Sequence, residues 1–119
     1  MDINVAWKAF STHPNRHRYG DLSDARSKAL FVDVCHAILQ RLRGFEIARF
    51  YTSKDMCGTE LWAQYELDGQ HRRIGVLVSA LVTLRLIPFH CMNPKASNKL
   101  YVFVPEWCEL GENGACALQ

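Results

Sequence analysis

One stretch, residues 68–89 with the sequence DGQHRRIGVLVSALVTLRLIPF, constrains the fold more than any other. Ile74, Leu77, Val78, Leu81 and Leu84 recur at steps of three and four, so one stripe of a helix must be buried. Gly69 just ahead of it can take the positive φ of a tight turn. Behind it the chain runs straight into LIPFHCM, a β-prone segment. The spacing therefore predicts a helix over 70–85, entered by a turn and left by a strand. Arg72, Arg73, Val76, Ala80 and Thr83 fall roughly opposite the stripe. Gln70, His71, Arg72 and Arg73 crowd its N-terminal mouth, where positive charge opposes the helix dipole. That local misfit points to a role outside the core, although two arginines at a helix start can also be a solvated face.

The flanking segments supply what such a helix packs on. Residues 23–43 read as a long helix, with Ser23 as N-cap, Asp24 in the first turn, Arg41 and Arg43 in the last, and Gly44 as the stop. Its buried stripe is Phe31, Val34, Ile38 and Leu42, widened by Leu30, Cys35 and Leu39. FEIARFY, 45–51, reads as a short strand. Thr52 or Ser53 can cap a helix that Gly58 interrupts, and Thr59 can cap a second short one, TELWAQYE, whose Leu61, Trp62 and Tyr65 face inward. LIPFHCM and KLYVFV make two β segments around the polar turn NPKASN. At the start, Ile3, Trp7 and Phe10 describe a short amphipathic helix, followed by a loop over 11–20 rich in Arg and His. The chain thus divides into an N-terminal arm and basic loop (1–22), one folded unit (23–105) and an acidic tail (106–119).

The order from 23 to 104 is helix, short strand, helix, turn, longer helix, hairpin. In that order the chain resembles the winged helix-turn-helix superfamily. The resemblance implies a mainly helical α+β fold, a three-helix core with a C-terminal β-hairpin wing (86–104), here with a helical arm in front. It implies sequence-specific binding of double-stranded DNA by a small transcriptional regulator, with helix 70–85 in the major groove. One departure is visible: Gly58 splits the helix before the turn. Under the resemblance, Gln70, Arg72 and Arg73 are the base-reading side chains, because arginine bonds guanine and glutamine bonds adenine in pairs. His71 contacts phosphate or stays structural. The small outer residues Val76, Ser79 and Ala80 let the backbone approach, and Lys95, Asn98 and Lys99 in the hairpin turn reach phosphate or the minor groove. Arg16 and Arg18, with His17 between them, form an extra arm. Useful specificity from so small a module implies two copies on paired half-sites, so a homodimer is expected, through the Ile3/Trp7/Phe10 arm or helix 23–43.

Composition narrows the alternatives. The 119 residues are 49% hydrophobic and 22% charged, which suits a single folded domain. Net charge is +2, yet the first 104 residues balance to +5 and the remainder to −3. The basic body suits an anionic partner. No apolar run approaches the roughly 20 residues of a membrane span, and no basic-then-apolar leader opens the chain, so a cytoplasmic protein with no membrane partner is expected. The five cysteines, odd in number and scattered, argue for separate thiols rather than a disulfide framework. Cys35–His36 and Cys91–His90 are adjacent in sequence but do not make the two close ligand pairs of a structural zinc site, so no metal or cofactor is expected. Neighbours on a helix point about 100° apart and neighbours on a strand face opposite sides, so neither pair makes a nucleophile and base; the chain reads as no enzyme. The rival reading is a protein-binding winged helix, using Tyr101, Phe103 or Trp107 on a partner instead of the basic residues on DNA.

Overall fold

The anticipated helix forms as α5, His71–Thr83, in the computed structural model, which describes residues 3–12 and 25–109. Around it lie α1 (Ile3–Ser11), α2 (Ala25–Arg41), β1 (Phe50–Tyr51), α3 (Ser53–Cys57), α4 (Thr59–Leu67), β2 (Phe89–Cys91), β3 (Tyr101–Phe103) and α6 (Glu106–Glu109). The architecture is α+β, mainly helical, with one antiparallel sheet in the order β1-β3-β2. None of the described helices is long and apolar enough to cross a membrane. The N-cap expected at Ser23 and the basic residues Arg16 and Arg18 lie outside the described residues, as does the tail beyond 109.

The core is built from the predicted stripes. Leu30, Phe31, Val34, Cys35 and Ile38 of α2 are buried, and they meet Ile74, Leu77, Val78 and Leu81 of α5. Ala80, read from the sequence as an outward residue, is also buried. The physical reason is that α5 is covered on more than one side, by α2, α3 and α4 and by β2, which widens its buried face beyond one stripe. At the other end of the chain, α1 does not reach away as an arm. Phe10 is fully buried, and its ring lies 5.5 Å from that of Phe31, with Trp7 5.2 Å from Phe31. Phe10 is thus committed to the core, while Ile3 and Trp7 pack against it half-buried.

The predicted strand 45–51 shortens to two residues. Phe45 turns into the core, edge-on to Tyr51 and Phe89 at 5.1 and 5.0 Å, and Ala48 takes φ 64°, which no strand can continue through. The Tyr51 hydroxyl accepts the Glu46 backbone N–H at 2.7 Å and closes this loop. β1 then pairs with β3 through Phe50 opposite Val102 and Tyr51 opposite Tyr101.

Three local devices fix the direction of α5. Thr52 and Asp55 form a reciprocal capping box that starts α3. Gly58, at φ 90° and ψ 154°, breaks α3 from α4 in a backbone region essentially reserved for glycine. It, rather than Thr59, is the N-cap of α4. Then Gly69, at φ 68°, ends α4: its N–H bonds the Glu66 carbonyl at 3.0 Å and the Gln70 N–H bonds the Tyr65 carbonyl at 2.8 Å. This paired pattern, the Schellman motif, turns the chain sharply into α5. The same pattern closes α5, with Arg85 at φ 57° and bonds from Arg85 to Val82 and from Leu86 to Leu81. Leu86, Ile87 and Phe89 then carry the chain back through the core into the hairpin.

Candidate functional site

The β2–β3 hairpin is held in register by Phe89 opposite Phe103, His90 opposite Val102 and Cys91 opposite Tyr101. Its turn is laced by one side chain the sequence reading passed over. Asn93 Oδ1 accepts the Leu100 N–H at 2.7 Å, and its Nδ2 donates to the Asn98 carbonyl at 3.0 Å. Lys99 Nζ donates to the Ala96 carbonyl at 3.2 Å, so its stem lies along the turn. These bonds hold the tip of the hairpin beside the outer face of α5.

Between the two elements lies an open depression of about 770 Å³. Arg72, Val76 and Ser79 of α5 form one wall, and Ser97, Asn98 and Lys99 of the turn form the other. Trp62 and His71 close one side, their rings 5.5 Å apart, while Ser53 and Tyr101 also line it. Among the described residues no carboxylate lines this depression. By contrast, a depression of about 610 Å³ between α2 and α4 carries Asp33 and Glu60, and one of about 440 Å³ beside it carries Asp55. The α5–hairpin depression therefore offers positive charge and hydrogen-bond donors, with no negative charge in its walls to repel an anion.

Of the residues singled out in the sequence, the fold brings Arg72, Val76, Ser79, Asn98 and Lys99 together, with His71 beside them. Arg72 is exposed and makes no ion pair or hydrogen bond among the described residues. Lys95 is exposed on the same hairpin turn but does not line the depression. Gln70 and Arg73 go elsewhere. Arg73 is half-buried, with Nη1 donating to Gln70 Oε1 at 3.2 Å and Nη2 donating to the hydroxyl of buried Ser27 on α2. One position separates Arg72 from Arg73, a rotation of about 100° on a helix, and that rotation decides which faces outward.

Several lining residues were not anticipated. Ser97 sits next to Asn98 in the polar turn and was within reach of the same reasoning. Trp62 reads as core, whereas Tyr101, which the protein-binding reading offers to a partner, is buried instead, because β3 is the central strand of the sheet. Its hydroxyl nevertheless has no hydrogen-bond partner. Ser53 and Ser79, which stand beside it, favour its ionised form. Burial dominates and pushes its pKa up to about 12. Gly75 lines the depression too, and a Cβ there would meet nothing within 4 Å, so packing does not require a glycine.

The cysteines are placed differently. Cys35 and Cys57 are buried, and burial pushes both thiols up to about 12. His36, beside Cys35 in sequence, is exposed, so the two side chains occupy different environments. Among the described residues no group of three His, Cys, Asp or Glu side chains is placed to hold a metal ion. Neither a protein-family model, nor a curated protein, nor a solved structure matches this chain.

Proposed function

We propose that this chain is a winged helix-turn-helix protein that binds double-stranded DNA sequence-specifically as a small transcriptional regulator. The observation carrying this reading is the depression without carboxylates, where Arg72, Val76 and Ser79 of α5 face Asn98 and Lys99 of the hairpin turn. The order α2, β1, α3–α4, α5, β2, β3, with β3 central in the sheet, supports the winged layout. In it α5 enters the major groove by its outer face and the hairpin turn reaches past the adjoining backbone. Arg72 is the base-reading arginine, Lys95 and Lys99 contact phosphate, and Val76, Gly75 and Ser79 leave room for close approach. Two copies bind paired half-sites.

The test is selection from a random duplex library with a salt series on the purified protein. Two phosphate contacts in each copy, from Lys95 and Lys99, predict a slope of log affinity against log salt of about −2 per copy. Arg72→Ala should relax the selected motif, and Lys99→Ala should weaken all sequences alike and reduce the slope by about one. A folded protein that binds no duplex at low salt would refute the reading. A second reading, a protein-docking module, is favoured by the exposure of Phe50 at 56% and Met92 at 51% on the sheet and the turn that follows β2. It predicts that Phe50→Ser, rather than Arg72→Ala, abolishes function.

A further inference from the structure

Two buried side-chain polar atoms among the described residues have no hydrogen-bond partner, His71 Nδ1 and the Tyr101 hydroxyl. Both residues line the α5–hairpin depression. Buried polar groups in folded proteins are nearly always paired, and an exception marks strain, a ligand or a trapped water. Here the exceptions coincide in one place. Tyr101 is 1% exposed, so its ring is fixed by the core and its hydroxyl cannot turn away to solvent. Burial also keeps the phenol protonated, and so a donor, well above neutral pH. Ser53 and Ser79 stand beside it, both half-buried hydroxyl rotors able to pass a hydrogen bond outward. Above this cluster are Arg72 and Lys99.

We infer that the floor of this depression is a phosphate site. One phosphate group is held at the Lys99 ammonium, beside the Arg72 guanidinium that reads the adjoining base, with the Tyr101–Ser79 hydroxyls and the His71 ring as further hydrogen-bonding groups. The chemistry suits a tetrahedral oxyanion: several acceptor oxygens meet donors from α5, the hairpin and β3, and no carboxylate competes. The inference rests on the DNA reading for its phosphate source, a backbone phosphodiester where the strand passes between α5 and the hairpin. A free phosphate group would satisfy the same donors.

The experiment is an NMR titration of the whole chain with inorganic phosphate, against chloride at equal ionic strength, with duplex binding measured in parallel. Wild type, Arg72→Ala and Tyr101→Phe are compared, and urea midpoints report folding. Saturable phosphate-specific shifts at His71, Ser79 and Lys99 are expected. Tyr101→Phe should weaken phosphate binding about tenfold, since a hydrogen bond to a charged group is lost. Its urea midpoint should stay level or rise, because an unpaired buried hydroxyl is removed. If Tyr101→Phe weakens duplex binding equally for all sequences, the phosphate is that of the DNA backbone. If phosphate binds and duplex does not, the site takes free phosphate and the DNA reading falls alone. If phosphate shifts match those of chloride, or Tyr101→Phe binds phosphate like wild type, the phosphate site is refuted whether or not duplex binds. A lowered midpoint with unchanged phosphate binding would assign the hydroxyl to a structural water and refute it too.

Discussion

Arg72 and Arg73 are adjacent, alike and opposite in consequence. Arg73→Ala removes the bond to Gln70 at 3.2 Å and the bond to Ser27, a side chain only 1% exposed. The part-buried Gln70 bond is worth about 1 kcal/mol, and the Ser27 bond, to a fully buried partner, about 1.5 kcal/mol. Their loss lowers stability by roughly 2–3 kcal/mol. For a chain of 119 residues, unfolding entropy of about 2.1 cal/mol/K per residue converts this to a fall in Tm of about 8–12 °C. Arg72→Ala removes an exposed side chain that has no partner among the described residues and should change stability by no more than about 0.5 kcal/mol. In duplex binding the order reverses. Arg72→Ala should cost about 1–3 kcal/mol, while folded Arg73→Ala binds nearly as wild type. Thermal melts and fluorescence anisotropy on both variants, with Ser27→Ala and the Ser27/Arg73 double variant closing a cycle, measure all of it. Equal Tm for wild type and Arg73→Ala, or equal loss of duplex affinity for the two variants, would refute the division of labour.

Three further outcomes follow from other parts of the structure. Gly75→Ala should raise stability by about 0.5–1 kcal/mol, as alanine does in a helix interior with open space, yet weaken duplex binding by narrowing the depression; unfolding and anisotropy read the two signs. Gly58→Ala should cost about 1–3 kcal/mol in urea unfolding, since it forces a side chain into a glycine-only backbone region with its Cβ 3.3 Å from Arg41 Nη1. The pKa values of Cys35 and Cys57 rise from 9 to about 12, and those of Tyr65 and Tyr101 from 10 to about 12, burial being the first cause of each. The unfolded chain then loses these protons at lower pH than the folded one. Stability from these groups is fully present below pH 9 and falls as pH rises through 9–12, so urea midpoints at pH 8, 10 and 11.5 should decline in that order.

The sequence by itself determined most of the elements and most of the core, but not the two-residue length of β1 or the helix α6. The period of Ile74, Leu77, Val78 and Leu81, the turn at Gly69 and the cap at Thr52 are local facts, each set by a few neighbouring residues. It also marked Arg72, Ser79, Asn98 and Lys99 as residues with reason to meet. What it left open depended on neighbours distant along the chain. A stripe does not reveal that α5 is covered on several sides, so Ala80 was placed outside when it lies in the core. Residue types do not say which of two adjacent arginines faces Ser27, 46 residues away. The amphipathic start of the chain read as an arm because its acceptor, Phe31, belongs to another helix. Tyr101 looked like any strand aromatic. Its unpaired hydroxyl at the depression exists only because β3, α3 and α5 converge there, and that convergence is a property of tertiary structure alone.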